Sequence, residues 1–311
     1  MTKSDTRFKV FIAGASGAIG RPLIKQLKRD GHTVFGMTRS IERSSELEKL
    51  GATPIIADAL DETSVKRAIE SCEPDIVIEM LTSLPKEYTP EAMKEASALN
   101  TKLKLIGGAH LQKAAEKAGV KRYILQSTAF WYAPGSTLAT EEAPLALDPS
   151  FPISEEVKIY ETQEKRVLQS TKLKGVSLRF GFFYGPGTWY AKDGSIARQV
   201  LSNSYPIVGD GSGIWNFIHV EDAAIGISKA LNAKPGIYNL TDGAPQPQSI
   251  WLPAYAKWLG APPPLHRTEE EELKIGGPTS IFYATKLRAA SNQKAKDELD
   301  FHPRKLEWTM S

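Results

Sequence analysis

Three glycines near the start of the chain are spaced for binding a phosphate group. Gly14, Gly17 and Gly20 stand three residues apart, after a short apolar run at residues 10–13 and before an amphipathic segment. In a strand–turn–helix unit the first glycine makes the tight turn, the second admits a pyrophosphate, and the third lets the helix pack on the strand. The N–H groups that begin the helix then point at the phosphate. The alternative is a tight turn without a ligand. The contacts predicted for a dinucleotide are Gly14, Ser16, Gly17, Ala18, Ile19 and Gly20.

The residues after the second predicted strand favour a phosphorylated dinucleotide. In sites that prefer NAD(H), an acidic residue at this place accepts hydrogen bonds from the ribose hydroxyls. Here Thr38 and Arg39 occupy it, followed by Ser40, and Arg43 comes one turn later. A guanidinium pairs well with a 2′-phosphate, so the pattern favours NADP(H) over NAD(H) as cofactor, with these four residues as ligands. The alternative is a pair of solvated arginines on a loop.

Apolar segments alternate with helical patterns along the first half of the chain. Further strands are predicted at residues 33–37, 53–57, 76–80 and 123–126. Helices are predicted at residues 21–30, 44–50, 62–71 and 91–118, the last interrupted by Gly107 and Gly108. Strands that alternate with helices build a parallel sheet covered on both faces. The sequence therefore predicts an α/β fold with a doubly wound parallel sheet of the Rossmann type.

The composition of the chain argues against some classes of binding partner and favours one cellular compartment. The chain has 311 residues with 39 basic and 36 acidic side chains, a net charge of +3. Because these charges are interspersed, we expect neither a nucleic acid nor a membrane as partner. The single cysteine, Cys72, excludes an intramolecular disulfide and fits a reducing compartment. The polar amino terminus and the lack of a long apolar run predict a cytoplasmic protein.

Further motifs follow in a characteristic order along almost the whole chain. They are Asp58 after the third strand, Asn100 in the long helix, Ser127-Thr128 with Tyr132, the segments at residues 178–187 and 217–222, and the tail at residues 291–303. Together with the glycine turn, they make the chain resemble the extended or atypical short-chain dehydrogenase/reductase superfamily, which includes nucleotide-sugar epimerases and dehydratases. The resemblance implies a Rossmann domain from residues 1–180 and 217–240, and a smaller α/β substrate lobe from residues 181–216 and 241–311.

The resemblance also implies cofactor contacts beyond the glycine turn. They follow the third to sixth strands and comprise Asp58, Ala59, Leu81, Thr82, Ser127, Gly181, Phe182 and Phe183. A homodimer formed through the helices at residues 92–118 and 156–169 is common in the superfamily, and we carry it over as an expectation.

The catalytic residues of the superfamily are matched only in part. Its members use a Ser or Thr hydroxyl together with a Tyr-x-x-x-Lys pair, whose lysine lowers the pKa of the tyrosine. Thr128 matches the hydroxyl, although a strand-end threonine can also simply bond the backbone. Tyr160 is followed four residues later by Glu164, and aligning this helix puts Glu156 at the tyrosine position and Tyr160 at the lysine position. We therefore predict that the pair is absent, with Thr128, Tyr160 and Tyr132 as the candidate catalytic residues.

Aromatic residues surround the expected substrate cleft. Nucleotide-sugar enzymes of this architecture carry an arginine for the diphosphate shortly before the segment at residues 217–222, and Trp215 stands there in this chain. The candidate substrate-binding residues are Trp131, Tyr184, Trp189, Tyr190 and Trp215. They favour an apolar or aromatic small molecule, and the alternative is that they pack in the core.

These patterns predict an NADPH-dependent oxidoreductase that reduces a small, largely apolar carbonyl or enone compound. One alternative is a nucleotide-sugar epimerase or dehydratase that recycles its cofactor. Another is a catalytically silent module that senses NADPH. The five histidines are scattered without ligand spacing, so no metal site is expected.

Overall fold

Parallel strands form the centre of the molecule in the computed structural model, which describes residues 7–309. The strands are β1 (Lys9–Ala13), β2 (Thr33–Thr38), β3 (Thr53–Ile56), β4 (Ile76–Glu79), β5 (Arg122–Thr128), β6 (Lys174–Phe180), β7 (Phe182–Tyr184), β8 (Ile207–Val208), β9 (Ile214–Trp215), β10 (Phe217–His219), β11 (Gly236–Leu240), β12 (Gln246–Pro247) and β13 (His266–Arg267). Within the described residues the main sheet has seven strands in the order β11-β6-β5-β4-β1-β2-β3, all parallel.

Helices cover both faces of this sheet. They are α1 (Gly20–Arg29), α2 (Ile41–Lys49), α3 (Glu62–Cys72), α4 (Pro90–Lys102), α5 (Gly108–Lys117), α6 (Ser154–Leu168), α7 (Ser195–Leu201), α8 (Val220–Ala230), α9 (Gln248–Leu259), α10 (Glu269–Ile275), α11 (Gly277–Thr285) and α12 (Gln293–Leu299). A π turn at Leu103–Gly107 joins α4 to α5, and a 3₁₀ turn lies at Glu307–Thr309. The predicted Rossmann-type α/β fold is confirmed.

The two faces of β1 show why its sequence is continuously apolar. Val10 and Ile12 pack into one core with α1 and α8, while Phe11 and Ala13 pack into a second core with α3 and α5. Successive side chains of a strand point to opposite faces, so a strand covered on both sides has no polar position. Cys72 is buried in the second of these cores.

The strand order reverses beside β1. The chain first runs outward through β2 and β3, then returns to place β4 on the other side of β1 and continues through β5 and β6. In open parallel sheets ligands bind at the carboxyl ends of the strands, where the order reverses. The glycine turn at the end of β1 lies at this point.

A third core is dominated by aromatic side chains and lies under the short strands and the later helices. Trp251, Tyr255, Phe217 and Trp308 in this core are each at most 1% exposed. Three two-stranded sheets frame it: β10 with β7, β12 with β9, and β13 with β8. The residue bounds proposed above for the two domains stay a prediction.

The long helix predicted at residues 91–118 is interrupted where its two glycines suggested. A Cβ atom on Gly108 would collide with the carboxylate of Glu79 on β4, and one on Gly107 would lie 3.1 Å from the Cβ of Ala59. The helix therefore passes very close to the carboxyl edge of the sheet, and it does so through the π turn. Such turns hold an extra residue and occur frequently at functional sites.

Two predicted boundaries moved by two residues or more. Helix α2 begins at Ile41, three residues before the predicted start, because the Ser40 hydroxyl accepts a hydrogen bond from the Arg43 N–H at 3.4 Å and caps the helix. Strand β5 runs from Arg122 to Thr128, two residues beyond its predicted end, because it pairs with β6 along its whole length. None of the helices within residues 7–309 combines the length and apolar character that a membrane span requires.

Candidate functional site

The glycine turn has the geometry that a pyrophosphate needs. Gly14 has a φ of +99°, and a Cβ atom there would lie 2.5 Å from the carbonyl oxygen of Met80. A Cβ atom on Gly20 would collide with the Ala15 carbonyl, so helix α1 can start only with glycine here. Gly17 is exposed, and Ile19 at the helix cap offers no side-chain acceptor to the first-turn N–H groups. The turn fits the diphosphate of a dinucleotide.

A guanidinium lies next to this turn. The Arg43 Nη1 atom is 3.5 Å from the Ser16 hydroxyl, a contact that bridges the start of α2 and the glycine turn. The Thr38 hydroxyl accepts a hydrogen bond from the Ser40 N–H at 3.2 Å and so turns the chain after β2. Arg39 is exposed and forms no ion pair within the part of the chain that the structure describes. The predicted ligands of the ribose end therefore converge beside β2.

The predicted contacts after β3 and β4 also converge on the carboxyl edge of the sheet. Ala59 and Leu81 both face Gly107 of the π turn, where an added Cβ atom would lie 3.1 Å and 3.3 Å from their side chains. Asn100 on α4 accepts a hydrogen bond from the Ser83 N–H at 3.1 Å, which fixes the loop that carries exposed Thr82. Asp58 is exposed and accepts a hydrogen bond from the Leu60 N–H at 3.0 Å.

A small cavity lies where β5 ends. Thr128 is 8% exposed, and its hydroxyl oxygen has no hydrogen-bond partner within residues 7–309. Buried polar atoms are nearly always paired, so this hydroxyl is free to bind a water molecule or a substrate oxygen in the cavity. Tyr160 shares this cavity and meets the Trp131 ring edge-on, with ring centres 4.4 Å apart. The lining residues are Ser127, Thr128, Trp131, Leu145, Val157, Tyr160, Glu164 and Arg179.

Tyr132, the third candidate catalytic residue, belongs to a buried polar network. Its hydroxyl donates a hydrogen bond to Asn239 Oδ1 at 2.7 Å and accepts one from Arg179 Nη1 at 2.8 Å. The tyrosine is 1% exposed, and burial raises the pKa of its hydroxyl. The structure thus separates Tyr132 from the cavity that Thr128 and Tyr160 share, and its role as proton donor stays a prediction.

Glu164 explains why no lysine follows Tyr160 by four residues. Its carboxylate forms a two-pronged ion pair with Arg179, with oxygen to nitrogen distances of 2.5 Å and 2.8 Å. The Ser177 hydroxyl donates a third hydrogen bond to it at 2.9 Å. Both charged side chains are only 5% exposed, so this pair forms a fixed polar floor beneath the cavity.

Lys104 is a functional candidate that the sequence interpretation missed. It lies in the π turn, is 3% exposed, and places its Nζ atom 4.0 Å from the ring centre of Tyr160. Tyr160 is the residue that the alignment of α6 puts at the lysine position. A positive charge therefore reaches this position from the neighbouring helix. The sequence contains one signal for Lys104. It lies four residues after Asn100, and residues four apart share a helix face.

Stacked aromatic rings pack beside the cavity residues Trp131 and Tyr160. Phe182 stacks on Phe130 with ring centres 4.1 Å apart and on Trp215 at 4.2 Å. The Trp131 indole N–H donates a hydrogen bond to the Tyr283 hydroxyl at 3.0 Å, and the Trp215 indole bonds the Tyr283 carbonyl at 3.1 Å. Of these residues, Phe130 and Tyr283 were not predicted. The group Phe130, Trp131, Tyr160, Phe182, Trp215 and Tyr283 is called the aromatic cluster below.

The other predicted substrate residues lie apart from the cavity. Tyr184 is 1% exposed and packs on Trp308, and Tyr190 is 5% exposed within the aromatic core. Trp189 is partly exposed and donates its indole N–H to the Pro85 carbonyl at 2.9 Å. The structure gives these three no contact with the cavity, so their role in substrate binding stays a prediction. Packing in the core accounts for these large side chains, because aromatic residues contribute much of the apolar area that proteins bury.

Gly181 and Phe183 lie where the main sheet meets the short strands. The Gly181 N–H bonds the Leu240 carbonyl at 3.2 Å, and an added Cβ atom would come within 2.8 Å of the Asn216 carbonyl oxygen. Phe183 is partly exposed and packs against Phe180. They therefore fix the direction in which β7 leaves the sheet.

A larger cavity, of about 370 Å³, opens at the opposite edge of the sheet, beside Gly236 at the start of β11. It lies far from the glycine turn, because parallel strands begin at one edge and end at the other. Within residues 7–309 no three His, Cys, Asp or Glu side chains are grouped so that they could hold a metal ion.

Comparison with known proteins identifies the family. The model of the NAD dependent epimerase/dehydratase family matches residues 10–241. A 3-diazoavenalumate denitrifying reductase from a Streptomyces species is 36% identical over 304 residues, which cover 96% of this chain and 97% of that protein. A 4-hydroxy-2-methyl-3-oxo-4-farnesyl-3,4-dihydroquinoline-1-oxide ketoreductase from Stigmatella aurantiaca is 27% identical over 247 residues, 76% of this chain and 69% of that protein.

A solved structure shows the same fold. The UDP-glucose 4-epimerase of Thermus thermophilus, in complex with NAD, superposes with a TM-score of 0.72 at 23% identity, covering 96% of this chain and 94% of that chain. With the matches above, this makes the protein an oxidoreductase that acts on a small molecule with a nicotinamide dinucleotide as cofactor. The chain belongs to the NAD-dependent epimerase/dehydratase family of the extended short-chain dehydrogenase/reductase superfamily.

Proposed function

We propose that the protein is an NADPH-dependent reductase for a small aromatic compound that carries a carbonyl or enone group. The observation that carries this proposal is the unpaired hydroxyl of Thr128 at the wall of a small cavity that Trp131 and Tyr160 also line. A substrate oxygen would pair with the hydroxyl, and a flat substrate ring would pack against the aromatic cluster. Both features suit a conjugated carbonyl compound.

The preference for NADPH rests on Arg43 and Arg39. Arg43 reaches Ser16 of the glycine turn, and Arg39 follows β2 without an ion-pair partner among the described residues. The described residues at the end of β2 offer no carboxylate to bind ribose hydroxyls in the way that NAD(H) sites do. Two guanidinium groups that form no ion pair within residues 7–309 favour a 2′-phosphate at this place.

Side chains of the protein bind the substrate, orient it and donate the proton. When bound, the reduced nicotinamide supplies a hydride to the electrophilic atom of the substrate. The Thr128 hydroxyl forms a hydrogen bond with the substrate oxygen, and Tyr160 or water donates a proton to that oxygen. The aromatic cluster orients the ring and excludes water, while the Glu164–Arg179 pair keeps the floor of the cavity rigid.

A second candidate is reductive removal of nitrogen from an aromatic diazo compound. The Streptomyces relative that matches 96% of this chain is named for such a reaction. Hydride addition to the terminal nitrogen of an arenediazonium gives an aryldiazene, which loses N₂ and keeps the hydrogen on the ring. No oxygen is protonated in these steps, so the absence of a Tyr-x-x-x-Lys pair favours this candidate.

A nucleotide sugar fits the site less well. Trp215 stands where these enzymes carry the arginine for the diphosphate, and it is 2% exposed and stacked on Phe182. An indole in this position offers no positive charge to a diphosphate. Its only hydrogen-bond donor is already used by the Tyr283 carbonyl.

A substrate panel tests the proposal. NADPH oxidation is followed with aromatic aldehydes, aryl enones, quinones, an arenediazonium salt and UDP-glucose, and products are identified by mass spectrometry. We expect turnover of the carbonyl or diazo compounds and none of UDP-glucose. Conversion of the sugar nucleotide without net NADPH use would show an epimerase. Tight NADPH binding without any turnover would show a sensing module.

Assembly is a separate proposal. We carry over the homodimer that is common in the superfamily, formed through α4, α5 and α6. Sedimentation equilibrium of the full chain tests it, and a concentration-independent monomer would refute it.

A further inference from the structure

The cavity that Thr128 lines is closed to a substrate. Its volume is about 10 Å³, which is the room that one water molecule needs. Pockets that bind small organic ligands enclose about 300–1,000 Å³. An aromatic carbonyl compound can therefore reach the Thr128 hydroxyl only after some part of the chain has moved away.

One segment crosses the end of the strand that carries Thr128. Residues 82–89, called the strap below, follow β4 directly, and the Ser83 N–H at their start donates a hydrogen bond to Asn100 at 3.1 Å. The far end of the strap contacts Trp189 and α7, which the chain builds directly after β6 and β7. In the main sheet β5 lies between β4 and β6. The strap therefore passes over the carboxyl end of β5.

Hydrogen bonds attach the far end of the strap to the smaller lobe. The Tyr88 N–H donates to the Ser195 hydroxyl at 2.9 Å, and the Gln199 side-chain amide donates to the Tyr88 carbonyl at 2.8 Å. The Trp189 indole N–H donates to the Pro85 carbonyl at 2.9 Å, and its ring packs on that of Tyr88 with centres 4.8 Å apart. Backbone groups make each of these hydrogen bonds on the strap side, so they fix the path of the strap.

An exposed ion pair adds to this attachment. The Glu87 carboxylate accepts two hydrogen bonds from Arg198 Nη2, at 2.6 Å and 2.7 Å, and this pair is called the latch below. The two side chains are 58% and 52% exposed. Such pairs contribute little to the stability of a fold. Segments with few buried side chains open at a lower free energy than the whole chain. Four strap residues are exposed: Thr82, Leu84, Lys86 and Glu87.

Tyr88 links the strap to the wall of the cavity. Its ring packs against the same core as the aromatic cluster. Burial and the neighbouring Tyr88 raise the pKa of the Tyr283 hydroxyl, which shows how near the two rings lie. The Tyr283 hydroxyl in turn accepts the indole N–H of Trp131, which lines the cavity. Detaching the strap thus uncovers the rings that border the cavity.

We propose that the strap is a gate, which leaves α7 to admit the substrate to Thr128 and returns to exclude water, with the Glu87–Arg198 pair as its latch. This inference rests on the proposed function for the location of the substrate, and it names the route by which the substrate enters. Loops that close over a bound substrate protect the reacting groups from water and often limit the rate of turnover.

Thiol labelling of the full chain without ligands tests the gate independently of turnover. Ser195→Cys, beneath the strap and 3% exposed, is the α7 reporter, and Thr128→Cys, 8% exposed, is the cavity reporter. The reagent is dithiodipyridine, an aromatic disulfide whose release of pyridinethione is followed by absorbance. Cys72 is buried, so the wild type gives the background rate. Both reporters should react slowly, at rates that low urea concentrations change little, because only local opening is required.

Variants of the latch connect the two reporters. Glu87→Gln and Arg198→Gln should each speed labelling of both reporters by about two- to fivefold. The double variant Glu87→Arg with Arg198→Glu should restore the slow rates. Glu62→Gln is the matched control, since it breaks an ion pair with Lys113 that has a similar length, 2.7 Å, and similar exposure. It should leave both rates unchanged, and thermal unfolding of each variant checks its folding.

The contrary outcomes are distinct. Faster labelling of the α7 reporter with an unchanged rate at the cavity reporter would show that the substrate enters elsewhere, and would overturn the proposal. Unchanged rates in both latch variants would overturn it too, as would labelling that follows global unfolding in urea. Faster labelling of both reporters in a chain that reduces no compound of the substrate panel would support the gate and refute only the proposed function.

Discussion

Replacing Thr128 with valine should lower activity without lowering the free energy of unfolding. Most substitutions of buried residues lower that free energy. The Thr128 hydroxyl is buried and has no hydrogen-bond partner in the part of the chain described. Valine has nearly the same shape and removes only the polar atom. An unpaired buried hydroxyl costs about 1–3 kcal/mol. The free energy of unfolding of Thr128→Val is therefore expected to stay unchanged or to rise by up to about 2 kcal/mol.

The same substitution should slow the reaction. If the hydroxyl holds the substrate oxygen as charge develops on it, its loss removes a hydrogen bond to a charged group, about 1.5–3 kcal/mol. At about 1.4 kcal/mol for each factor of ten, kcat/KM falls roughly tenfold to hundredfold. NADPH affinity should be unchanged, because the hydroxyl is assigned to the substrate.

The assay combines urea unfolding with steady-state kinetics on the compound that the substrate panel identifies. Thr241→Val is the matched control, since Thr241 is likewise buried and its hydroxyl has no hydrogen-bond partner within residues 7–309, but it does not line the cavity. The control should resemble Thr128→Val in stability and the wild type in kcat/KM. A Thr128→Val variant with unchanged kcat/KM would refute the assignment. A variant less stable by more than about 1 kcal/mol would show that the hydroxyl is paired in the folded chain.

Three further predictions follow from charged side chains. Arg43→Ala should weaken NADPH binding roughly tenfold or more and leave NADH binding unchanged, measured by fluorescence titration. Glu164→Ala should lower the free energy of unfolding by about 3–5 kcal/mol in urea, because it leaves the guanidinium of Arg179 buried and unpaired. Asp242 is buried, and burial raises its pKa from 3.8 to about 6. Between these two pKa values the folded chain keeps a proton on Asp242 that the unfolded chain has lost. As the pH rises from about 4 to about 7, the free energy of unfolding of the wild type should therefore fall by up to about 3 kcal/mol relative to that of Asp242→Asn.

Each of these predictions has a distinct contrary outcome. Equal losses of NADPH and NADH affinity in Arg43→Ala would assign this residue to the diphosphate in place of the 2′-phosphate. A Glu164→Ala variant as stable as the wild type would mean that water reaches Arg179. Parallel pH profiles for the wild type and Asp242→Asn would show that Asp242 ionises alike in both states.

Much of the main sheet could be predicted because its central strands, such as β1, β4 and β6, are buried on both faces. Such strands are continuous apolar runs, and the glycine turn marks the first of them. The two- and three-residue strands of the smaller sheets, such as β8 and β9, could not be predicted, since no periodic pattern exists in so few residues. Their positions depend on contacts between distant parts of the chain.

The site could be predicted where a residue follows a strand. Thr128 was found because it ends β5, whose carboxyl end must lie at the ligand-binding edge. Lys104 was missed because a lysine within a helical pattern is ordinarily exposed. The partners Trp131 and Tyr283 are 152 residues apart, so only the fold shows that they meet. The same aromatic residue types line the cavity and fill the core, which is why only some of the predicted substrate residues lie at the cavity.

The π turn that carries Lys104 makes this site sensitive to insertion and deletion. One extra residue within a turn rotates the following helix by about 100° relative to the preceding one. Deleting a single residue between Leu103 and Gly107 would restore an ordinary α-helix, and then either Lys104 would leave Tyr160 or Gly108 would leave Glu79. A one-residue gap here can thus exchange the side chain that faces Tyr160 without any substitution in the cavity. Relatives should accordingly be aligned by the position of the turn before their specificities are compared.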